Sequence, residues 1–566
     1  MSFIQTFWRN LTEGSGPLLV EMEGAQRHPY AAARLAQMVA QARAWLRAEG
    51  LRPGDRVAFV APNSARWVAL DLACLFDGLV SVPLYTRSTA EELRWTAADA
   101  QAKLLLADEE TLGRLQEASG DEQALRIEPL DALFEHALPP RREPPAERSE
   151  GETVTLVYTS GTSGDPKGVM LTVGGFEYIL PLVRRKLDRL MGGRPADERL
   201  FHYLPFCFAG SRLVLWVSLY GAVPLHLNSS LERLAEELRA ARPHYVLNVP
   251  VLLKRVRGGV EQRFAERGPL VQRLHRAAMA AFEREVSGAP PRPADRWVRR
   301  AADLLLYRKV REGLGGSLRC LISGSAPLAE GTQRWFEALG IPVYQVYGLT
   351  ETTGILTMDE PGEAVPGHVG RLIEGTEARV AEDGELRVRG PGIFPGYWRR
   401  PEATAAAFDE AGWFRTGDRA ELDEATNTWR LVGRAKHVLV LASGHNVPPE
   451  PIEQALLEQL PGAEHVVLFG HGEPALVALV SGGGLSQADL DRAAERVNET
   501  LPHYKRVRAI ALLPEPLSHE AGLLTANQKL KRAAIAERYA ELLAELQRRA
   551  RTTAAARPAA SAAPTA

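Results

Sequence analysis

A twelve-residue stretch, YTSGTSGDPKGV, spans residues 158 to 169 and combines three glycines, two serines, two threonines and one lysine. Backbone N–H groups can point inward where no Cβ obstructs them, so such a loop can cradle a phosphate. In the Walker loop, Lys and Ser/Thr directly follow the last glycine. Here Lys167 instead lies between Pro166 and Gly168. Taken alone, the stretch is equally compatible with a surface turn.

Five further stretches bear on the same chemistry. By themselves, their charged residues have ordinary interpretations: Glu351 as a charge that complements a helix N-terminus, Asp418 as a turn residue, and Lys529 as part of a solvated face. Lys436 alone could equally be a surface lysine. The stretches are SGSAP (323–327), YQVYGLTETTG (344–354), GWFRTGD (412–418), GRAKHVLVLASGHNVPPEPIE (433–453) and LLTANQKLKR (523–532).

The elements that must position these stretches alternate between helix and strand. Residues 30–50 form an amphipathic pattern that ends at Gly50, and the short apolar run GDRVAFVAP follows it. Helices that alternate with short apolar runs predict parallel sheets of the α/β kind. The strand TLVYT leads directly into the glycine-rich stretch, and this placement favours phosphate binding.

The composition of the chain and its predicted secondary structure then change twice. Residues 255–312 are rich in Arg, Ala and Leu and predict helices without evident chemistry. Residues 367–429 predict short strands with turns, including a hairpin turn at Asp383 and Gly384. Strand and helix alternate again afterwards, and the low-complexity end of the chain predicts disorder.

Composition excludes several classes of protein. The chain has 566 residues, 45% of them hydrophobic and 24% charged, and a formal net charge of −2, as expected for a globular protein of several domains. The arginines form no stripe, so nucleic acid is not expected as a partner. The three cysteines lie far apart and predict neither disulfides nor a zinc site, which fits a reducing cytoplasm.

Membrane and export signals are weak. The start of the chain, MSFIQTFWRNLTEG, lacks the pattern of a signal peptide. The apolar stretch at residues 213–227 is too short to span a bilayer and predicts a buried helix that leads into a strand. Peripheral membrane contact stays open, although the sequence shows no strongly basic amphipathic helix to support it. The oligomeric state is not evident.

In order and spacing, the six stretches resemble the adenylate-forming superfamily of acyl-CoA synthetases, luciferases and peptide-synthetase adenylation domains, over residues 20–540. The chain looks most like the long-chain fatty acyl-CoA synthetases. HYLPFCFAGSR (202–212), the helical insert before LRCLISGSAPL, GPGIFPGYWRRPEATAAAF (390–408) and GLLTANQKLKR are all similar to segments of those enzymes.

The resemblance implies an α/β fold of the acyl-CoA synthetase and luciferase type. A large N-terminal domain, residues 1–434, would combine α/β sheet subdomains with a β subdomain and hold the AMP-binding and acyl pockets. A small, mobile α+β C-terminal domain, residues 435–545, would carry the catalytic lysine. Residues 546–566 would be a disordered tail.

The resemblance also implies two steps: adenylation of a fatty acid by ATP, then transfer of the acyl group to coenzyme A. The fatty acid has a pKa of about 4 to 5, so it is already an anion at neutral pH and needs no general base. The first step needs charge neutralisation and in-line geometry. The residues that would hold the β- and γ-phosphates are Ser160, Gly161, Thr162, Ser163, Gly164 and Lys167.

The other ATP contacts follow from the same resemblance. Thr159 and Glu351 match magnesium-binding positions, and oxygen ligands suit Mg²⁺. Asp418 would accept both ribose hydroxyls, and Arg434 would reinforce the ribose and phosphate side. Tyr347 would lie against the adenine. The residues expected to line the base and sugar are Gly324, Ser325, Ala326, Gln345, Gly348 and Thr350.

Two lysines would be catalytic. Lys529 matches the lysine that contacts the carboxylate and the α-phosphate during adenylation. For thioester formation the C-terminal domain would rotate about a hinge after Lys436, and Gly444 would permit close approach of the pantetheine chain of coenzyme A. The thiol, with a pKa of about 8.5, must lose a proton, and the sequence identifies no base for it.

Two positions depart from the family pattern. Phe208 stands where a histidine is usual near the acyl pocket, and His437 stands where an aspartate is frequent at the hinge. We interpret Phe208 as pocket wall and Arg212 as structural support, while His202 and Cys207 carry no chemistry. Three alternatives stay open: a fatty acyl-AMP ligase that loads a carrier protein, a ligase for another hydrophobic or aryl acid, and a non-catalytic nucleotide-binding protein.

Overall fold

The computed structural model describes residues 2–117, 125–159, 166–525 and 529–555. Over these residues the strands are β1 (Pro17–Glu23), β2 (Gln26–Ala31), β3 (Arg56–Val60), β4 (Val80–Pro83), β5 (Ala102–Ala107), β6 (Arg126–Pro129), β7 (Thr153–Thr159), β8 (Lys167–Thr172), β9 (Leu200–His202), β10 (Leu225–Leu227), β11 (Tyr245–Asn248), β12 (Cys320–Ser323), β13 (Val343–Tyr347), β14 (Thr357–Met358), β15 (Arg371–Leu372), β16 (Glu377–Val380), β17 (Glu385–Arg389), β18 (Phe414–Asp423), β19 (Thr428–Arg434), β20 (Leu439–Val440), β21 (Asn446–Val447), β22 (Ala463–Phe469), β23 (Leu476–Gly482) and β24 (Val507–Leu512).

The α-helices of the same residues are α1 (Phe3–Thr12), α2 (Ala32–Ala48), α3 (Ala65–Phe76), α4 (Ala90–Asp99), α5 (Glu109–Glu117), α6 (Val173–Leu190), α7 (Ala209–Tyr220), α8 (Leu234–Ala241), α9 (Pro250–Glu266), α10 (Pro269–Val286), α11 (Asp295–Ala302), α12 (Arg308–Gly313), α13 (Glu330–Ala338), α14 (Pro401–Ala407), α15 (Glu450–Gln459), α16 (Gln487–Glu499), α17 (Arg532–Arg538) and α18 (Ala540–Ala555). Short 3₁₀ turns connect several of them, and a π-helical segment, Asp303–Tyr307, joins α11 to α12. No described helix is long and apolar enough to cross a membrane.

The elements confirm the α/β prediction. A nine-stranded sheet has the order β15-β14-β13-β12-β11-β9-β10-β1-β2, and a six-stranded sheet has the order β6-β5-β3-β4-β7-β8. The central pairs of the larger sheet are parallel, with Tyr245 beside Cys320 and Ile322 beside Tyr344. Residues 213–227 form the end of α7 and then β10, as the apolar stretch predicts.

Smaller sheets follow along the chain. Strands β16 to β19 form a four-stranded sheet in that order, and Gly384, at φ +80°, turns the chain between β16 and β17. Strands β20 and β21 pair with each other, and β22, β23 and β24 form a three-stranded sheet. The predicted hairpin at Asp383 and Gly384 is therefore confirmed.

The chain divides into two compact units. The first comprises Met1–Ala378, Val388–Phe414 and Leu422–Arg430, and the second comprises Arg379–Arg387, Arg415–Glu421 and Leu431–Ala566. The second unit's long segment thus begins four residues before the predicted domain start at residue 435.

The end of the chain differs from the expectation of a disordered tail from residue 546. Helix α18 continues to Ala555, and Leu546 and Ala550 are buried in a core with Val477 and Leu479 of β23. The apolar residues of α18 recur at helical spacing, so docking of this face stabilises the helix although the sequence around it is of low complexity. Residues 556–566 lie outside the described residues.

Candidate active site

The two ends of the glycine-rich stretch lie side by side in the first unit. Strands β7 and β8 are antiparallel, and their register pairs Thr159 with Lys167. Residues 160–165 lie outside the described residues, so the predictions for Ser160, Gly161, Thr162, Ser163 and Gly164 stay predictions. The predicted strand is confirmed, because β7 ends at Thr159, directly before these residues.

A tyrosine that the sequence analysis did not select brings the lysine and the predicted metal-binding glutamate together. The Tyr397 hydroxyl donates a hydrogen bond to Glu351 Oε1 at 2.9 Å. The Lys167 Nζ atom lies 5.2 Å from the centre of the same ring. Tyr397 is held in place because it forms a β-bridge with Val169 of β8. We call Lys167, Tyr397 and Glu351 the phosphate-side cluster.

Glu351 of the phosphate-side cluster and the nearby strand residue Thr159 are the two predicted magnesium ligands. Glu351 lies in a 3₁₀ turn, Thr350–Thr352, and β8 packs against that turn. Thr159 offers a hydroxyl from the strand paired with β8. Mg²⁺ prefers oxygen ligands and takes few from the protein when it also binds phosphates. The donor set of Thr159 and Glu351 therefore fits this ion.

The predicted base- and sugar-binding residues lie at the carboxyl ends of β12 and β13. In open parallel sheets this edge is where ligands bind. The Gly324 N–H donates to the Asn248 carbonyl at the end of β11, at 3.2 Å. A Cβ at Gly348 would lie 2.5 Å from Ile355 Cα, so only glycine fits there. Ser325, which follows Gly324, has φ at +72°, and this left-handed conformation costs energy for a residue with a side chain.

The remaining predicted residues of this edge differ in exposure. Ala326 is exposed, and Thr350 begins the 3₁₀ turn. Tyr347 is only 8% exposed, and its carbonyl accepts the Leu356 N–H at 2.7 Å. Gln345 is buried, and its side-chain amide donates to Gln333 Oε1 at 3.0 Å. The Gln345 side chain therefore links β13 to α13, and its contact with a nucleotide stays a prediction.

Asp359 is a buried carboxyl beneath this edge that the sequence analysis did not select. It accepts the Gln345 N–H at 2.6 Å, and its own N–H donates to the Gln345 carbonyl at 3.0 Å. Burial raises the pKa of Asp359 to about 7, with Glu337 and Glu360 adding to the shift and the Gln345 N–H opposing it. Among the described residues its Oδ1 has no hydrogen-bond partner. These two hydrogen bonds thus connect Gln345 of β13 to Asp359, the residue that follows β14.

Asp359→Asn should flatten part of the pH dependence of stability. A carboxyl with a raised pKa in the folded state binds more protons there than in the unfolded chain, where its pKa is about 3.9. Its contribution to stability is complete below that value and is lost as the pH rises to about 7, by at most about 1.4 kcal/mol per pH unit. Calorimetric unfolding of the first unit should show this loss in the unsubstituted protein and not in the variant. Identical pH profiles would contradict the shift.

In the second unit, the predicted ribose carboxylate is already oriented by its predicted neighbour. Asp418 is 7% exposed, and Arg434 Nη1 donates to its Oδ1 at 2.7 Å. Its N–H donates to the Thr416 hydroxyl at 3.1 Å. The ion pair places a carboxylate acceptor beside a guanidinium, and the contact of either group with a nucleotide stays a prediction.

The predicted hinge contains a histidine–glutamate contact. Lys436 lies in the 3₁₀ turn Ala435–His437. His437 Nδ1 is 2.8 Å from Glu450 Oε1 at the start of α15. Burial raises the pKa of Glu450, but hydrogen bonding to His437 and the charge of Arg532 outweigh it, so the pKa is lowered overall. The histidine that departs from the family pattern thus ties the hinge turn to α15.

Gly444 and Lys529, the residues predicted to contact coenzyme A and the reacting carboxylate, both belong to the second unit. Gly444 has φ at +82°, and nothing lies within 4 Å of an added Cβ. Lys529 is exposed, and its carbonyl accepts a hydrogen bond from the Thr525 N–H at 2.7 Å. Its own N–H donates to the Thr525 hydroxyl at 3.1 Å. Lys529 thus lies at the surface of the second unit, beside Thr525.

Arg212 is confirmed as structural support. It is completely buried and bonds to Asp71, which also accepts Trp216 Nε1 at 2.9 Å, and to the Ser81 hydroxyl at 2.7 Å. Phe208 lies at the start of α7 with its ring centre 5.4 Å from that of Tyr85, and its role as pocket wall stays a prediction.

His202 is a core residue, as predicted. It is completely buried, hydrogen bonds to Ser211 and stacks on the Phe206 ring at 5.1 Å. Burial lowers its pKa to about 3, so the ring is neutral at physiological pH.

Comparison with known proteins shows the family to which the chain belongs. The AMP-binding enzyme family matches residues 19–398, and the AMP-binding enzyme C-terminal domain matches residues 436–551. The long-chain-fatty-acid–CoA ligase FadD15 of Mycobacterium bovis is 32% identical, over 87% of this chain and 88% of its own. The long chain acyl-CoA synthetase 3 of Arabidopsis thaliana is 25% identical, over 89% of this chain and 85% of its own.

A solved structure shares the fold. The o-succinylbenzoate CoA synthetase of Bacillus subtilis, in complex with its acyl-adenylate intermediate, covers 94% of this chain and 97% of its own with a TM-score of 0.72 at 21% identity.

Proposed function

The chain belongs to the AMP-binding enzyme family, and on that premise we propose that it is an ATP-dependent ligase that joins a long-chain fatty acid to coenzyme A and releases AMP and pyrophosphate. The observation that carries the proposal is the phosphate-side cluster. It places a lysine and a carboxylate around one tyrosine at the exit of the glycine-rich loop. Fold relatives and chain relatives point to the same chemistry.

In the first step a carboxylate oxygen attacks the α-phosphorus of ATP, and the bond to the β-phosphate bridging oxygen breaks. Both reactants are anions, so cations must offset their repulsion. Lys167 would hold the β- and γ-phosphates, and Mg²⁺ bound by Thr159 and Glu351 would neutralise them further. Lys529 would lie beside the carboxylate and the α-phosphate, where negative charge accumulates.

The Tyr397 hydroxyl would fix Glu351 for this step. A carboxylate oxygen that already accepts a hydrogen bond has fewer rotamers open to it, so the remaining oxygen is better positioned for a metal ion. The aromatic ring beside Lys167 likewise restricts the ammonium group. Tyr397 is therefore proposed as a positioning residue.

In the second step the sulfur of coenzyme A attacks the acyl carbon, and AMP leaves with the electron pair of the carbon–oxygen bond. The thiol proton passes to solvent or to AMP, since the described residues suggest no dedicated base. Gly444 would allow the pantetheine chain to approach the backbone. Lys436 would mark the hinge about which Lys529 is withdrawn.

The substrate class rests on the relatives. The mycobacterial and plant proteins that this chain resembles are named for long-chain fatty acids. We propose the cytoplasm as the location, with peripheral contact to a membrane.

Incubation of the purified protein with palmitate, ATP and coenzyme A tests the proposal. We expect palmitoyl-CoA, AMP and pyrophosphate in equal amounts. Accumulation of palmitoyl-AMP without palmitoyl-CoA would contradict it and would favour a fatty acyl-AMP ligase that loads a carrier protein. Absence of pyrophosphate release with any carboxylic acid would favour a non-catalytic nucleotide-binding protein.

A further inference from the structure

One helical segment of the first unit exposes large apolar side chains. It runs through α11, the π-helical segment and α12, from Asp295 to Gly313. On it Trp297 is 72% exposed, Leu304 is 64% exposed and Leu305 is 55% exposed. Soluble proteins rarely leave a tryptophan and two leucines this accessible on one element without a partner.

The exposed side chains are separate from the side that packs in the core. Ala302, Leu306 and Tyr307 belong to the core cluster shared with α10 and α13. Trp297 and Leu304 are seven residues apart, a spacing that returns to the same side of a helix. The segment therefore has two apolar faces, of which one is buried and one is exposed. We call Trp297, Leu304 and Leu305 the exposed face.

Positive charge surrounds the exposed face. Residues 295–313 contain six basic residues and three acidic ones, although the whole chain has a net charge of −2. Three of the basic residues pair with a carboxylate: Arg311 with Asp303 at 2.7 Å, Arg308 with Glu312 at 3.0 Å, and Arg299 with Glu285. The other three basic residues are exposed and have no carboxylate partner among the described residues. They are Arg296, Arg300 and Lys309.

We propose that the exposed face docks on an anionic membrane surface. A helix with an apolar stripe and a basic border lies in the headgroup region, where tryptophan is favoured and cations meet anionic lipids. A second copy of this chain is a poorer occupant, because a two-fold interface would bring the same arginines together. The segment thus supplies the basic amphipathic helix that the sequence analysis did not find.

The inference does not depend on the proposed enzymatic activity, because it rests on exposure and charge. Failure to bind lipid vesicles would therefore contradict only the membrane proposal, and failure to form acyl-CoA would contradict only the proposed enzymatic activity.

Flotation of the full-length protein with lipid vesicles tests the inference. We expect binding to phosphatidylcholine vesicles that contain roughly 30% phosphatidylglycerol and little binding to pure phosphatidylcholine. Binding should weaken when the salt concentration rises from about 0.1 M to about 0.5 M. The double variant Trp297→Ser with Leu304→Ser should raise the apparent Kd about tenfold or more. Charge reversal at Arg296→Glu and Arg300→Glu should raise it at least as much.

A matched control separates the exposed face from general surface hydrophobicity. Leu231 is 57% exposed on a different turn of the first unit, so Leu231→Ser should leave the apparent Kd unchanged. Circular dichroism and thermal unfolding should be the same for all variants, because every substituted side chain is exposed.

Four results would overturn the inference. They are failure of the unsubstituted protein to bind anionic vesicles, equal binding to neutral vesicles, unchanged binding by both double variants, and a dimer in sedimentation that Trp297→Ser dissociates. The last result would assign the exposed face to a second copy of the chain.

Discussion

Lys529→Ala should reduce the rate of acyl-adenylate formation by about 10² to 10³, the effect typical of losing one charged contact to a transition state. The substituted side chain is exposed, and the hydrogen bonds between Lys529 and Thr525 use the Lys529 backbone, so the fold should be unaffected. Pyrophosphate release under single-turnover conditions with saturating ATP and palmitate measures this step directly.

The second half-reaction provides the internal control. When synthetic palmitoyl-AMP and coenzyme A are supplied, the variant should form palmitoyl-CoA at nearly the unsubstituted rate, because Lys529 is proposed to act on the first step alone. Lys531→Ala, two residues along the chain, should leave both steps unchanged. Equal losses in both half-reactions, or none in the first, would contradict the role proposed for Lys529.

Arg212→Ala should destabilise the first unit by about 3–5 kcal/mol, because it leaves the carboxylate of Asp71 buried without its partner. Asp71 and Arg212 are each 1% exposed or less, so water cannot replace the lost interaction. Trp216 would still donate to Asp71, but one neutral donor does not offset the charge. Calorimetry should show the first unit melting at least about 4 °C lower.

Two comparisons isolate the buried pair. The double variant Asp71→Leu with Arg212→Met should recover much of the loss, because both charges are removed together. Arg185→Ala removes an exposed arginine that pairs with Glu374, and it should change stability by about 1 kcal/mol or less. If Arg212→Ala were no more harmful than Arg185→Ala, the buried pair would not stabilise the fold.

The sequence predicts those parts of the site that depend on local patterns. The strand before the glycine-rich stretch follows from a short apolar run. The buried helix and strand of residues 213–227 and the hairpin turn at Gly384 likewise follow from patterns that span only a few residues. The 3₁₀ turn that holds Glu351 and the ion pair of Asp418 with Arg434 are evident only in the folded structure.

The residues that sequence reasoning missed depend on burial or on contacts between distant segments. Tyr397 is in a segment noted only for its family likeness, and its role arises because that segment pairs with β8. Asp359 is significant because burial beside Glu337 and Glu360 changes its pKa. A sequence pattern reports neither burial nor partners more than two hundred residues away.

The helices of residues 255–312 are a second example of burial that a sequence pattern does not report. Residues 255–312 are rich in Arg, Ala and Leu and predict helices without evident chemistry. Only the packed structure shows which side of α11 meets the core and which carries Trp297 into solvent. In α18 the opposite occurs, because packing against β23 stabilises a helix where composition predicts disorder.

The chain-length dependence of turnover tests the proposed function most directly. We would measure kcat/KM for coenzyme A thioester formation with straight-chain acids of about two to about eighteen carbons, since each methylene in a matching pocket is worth about tenfold or more in discrimination. We predict a rise to a maximum among the long-chain acids, with acyl-CoA and AMP formed in equal amounts. A maximum at short or aryl acids, or acyl-AMP as the final product, would contradict a long-chain fatty acid–CoA ligase.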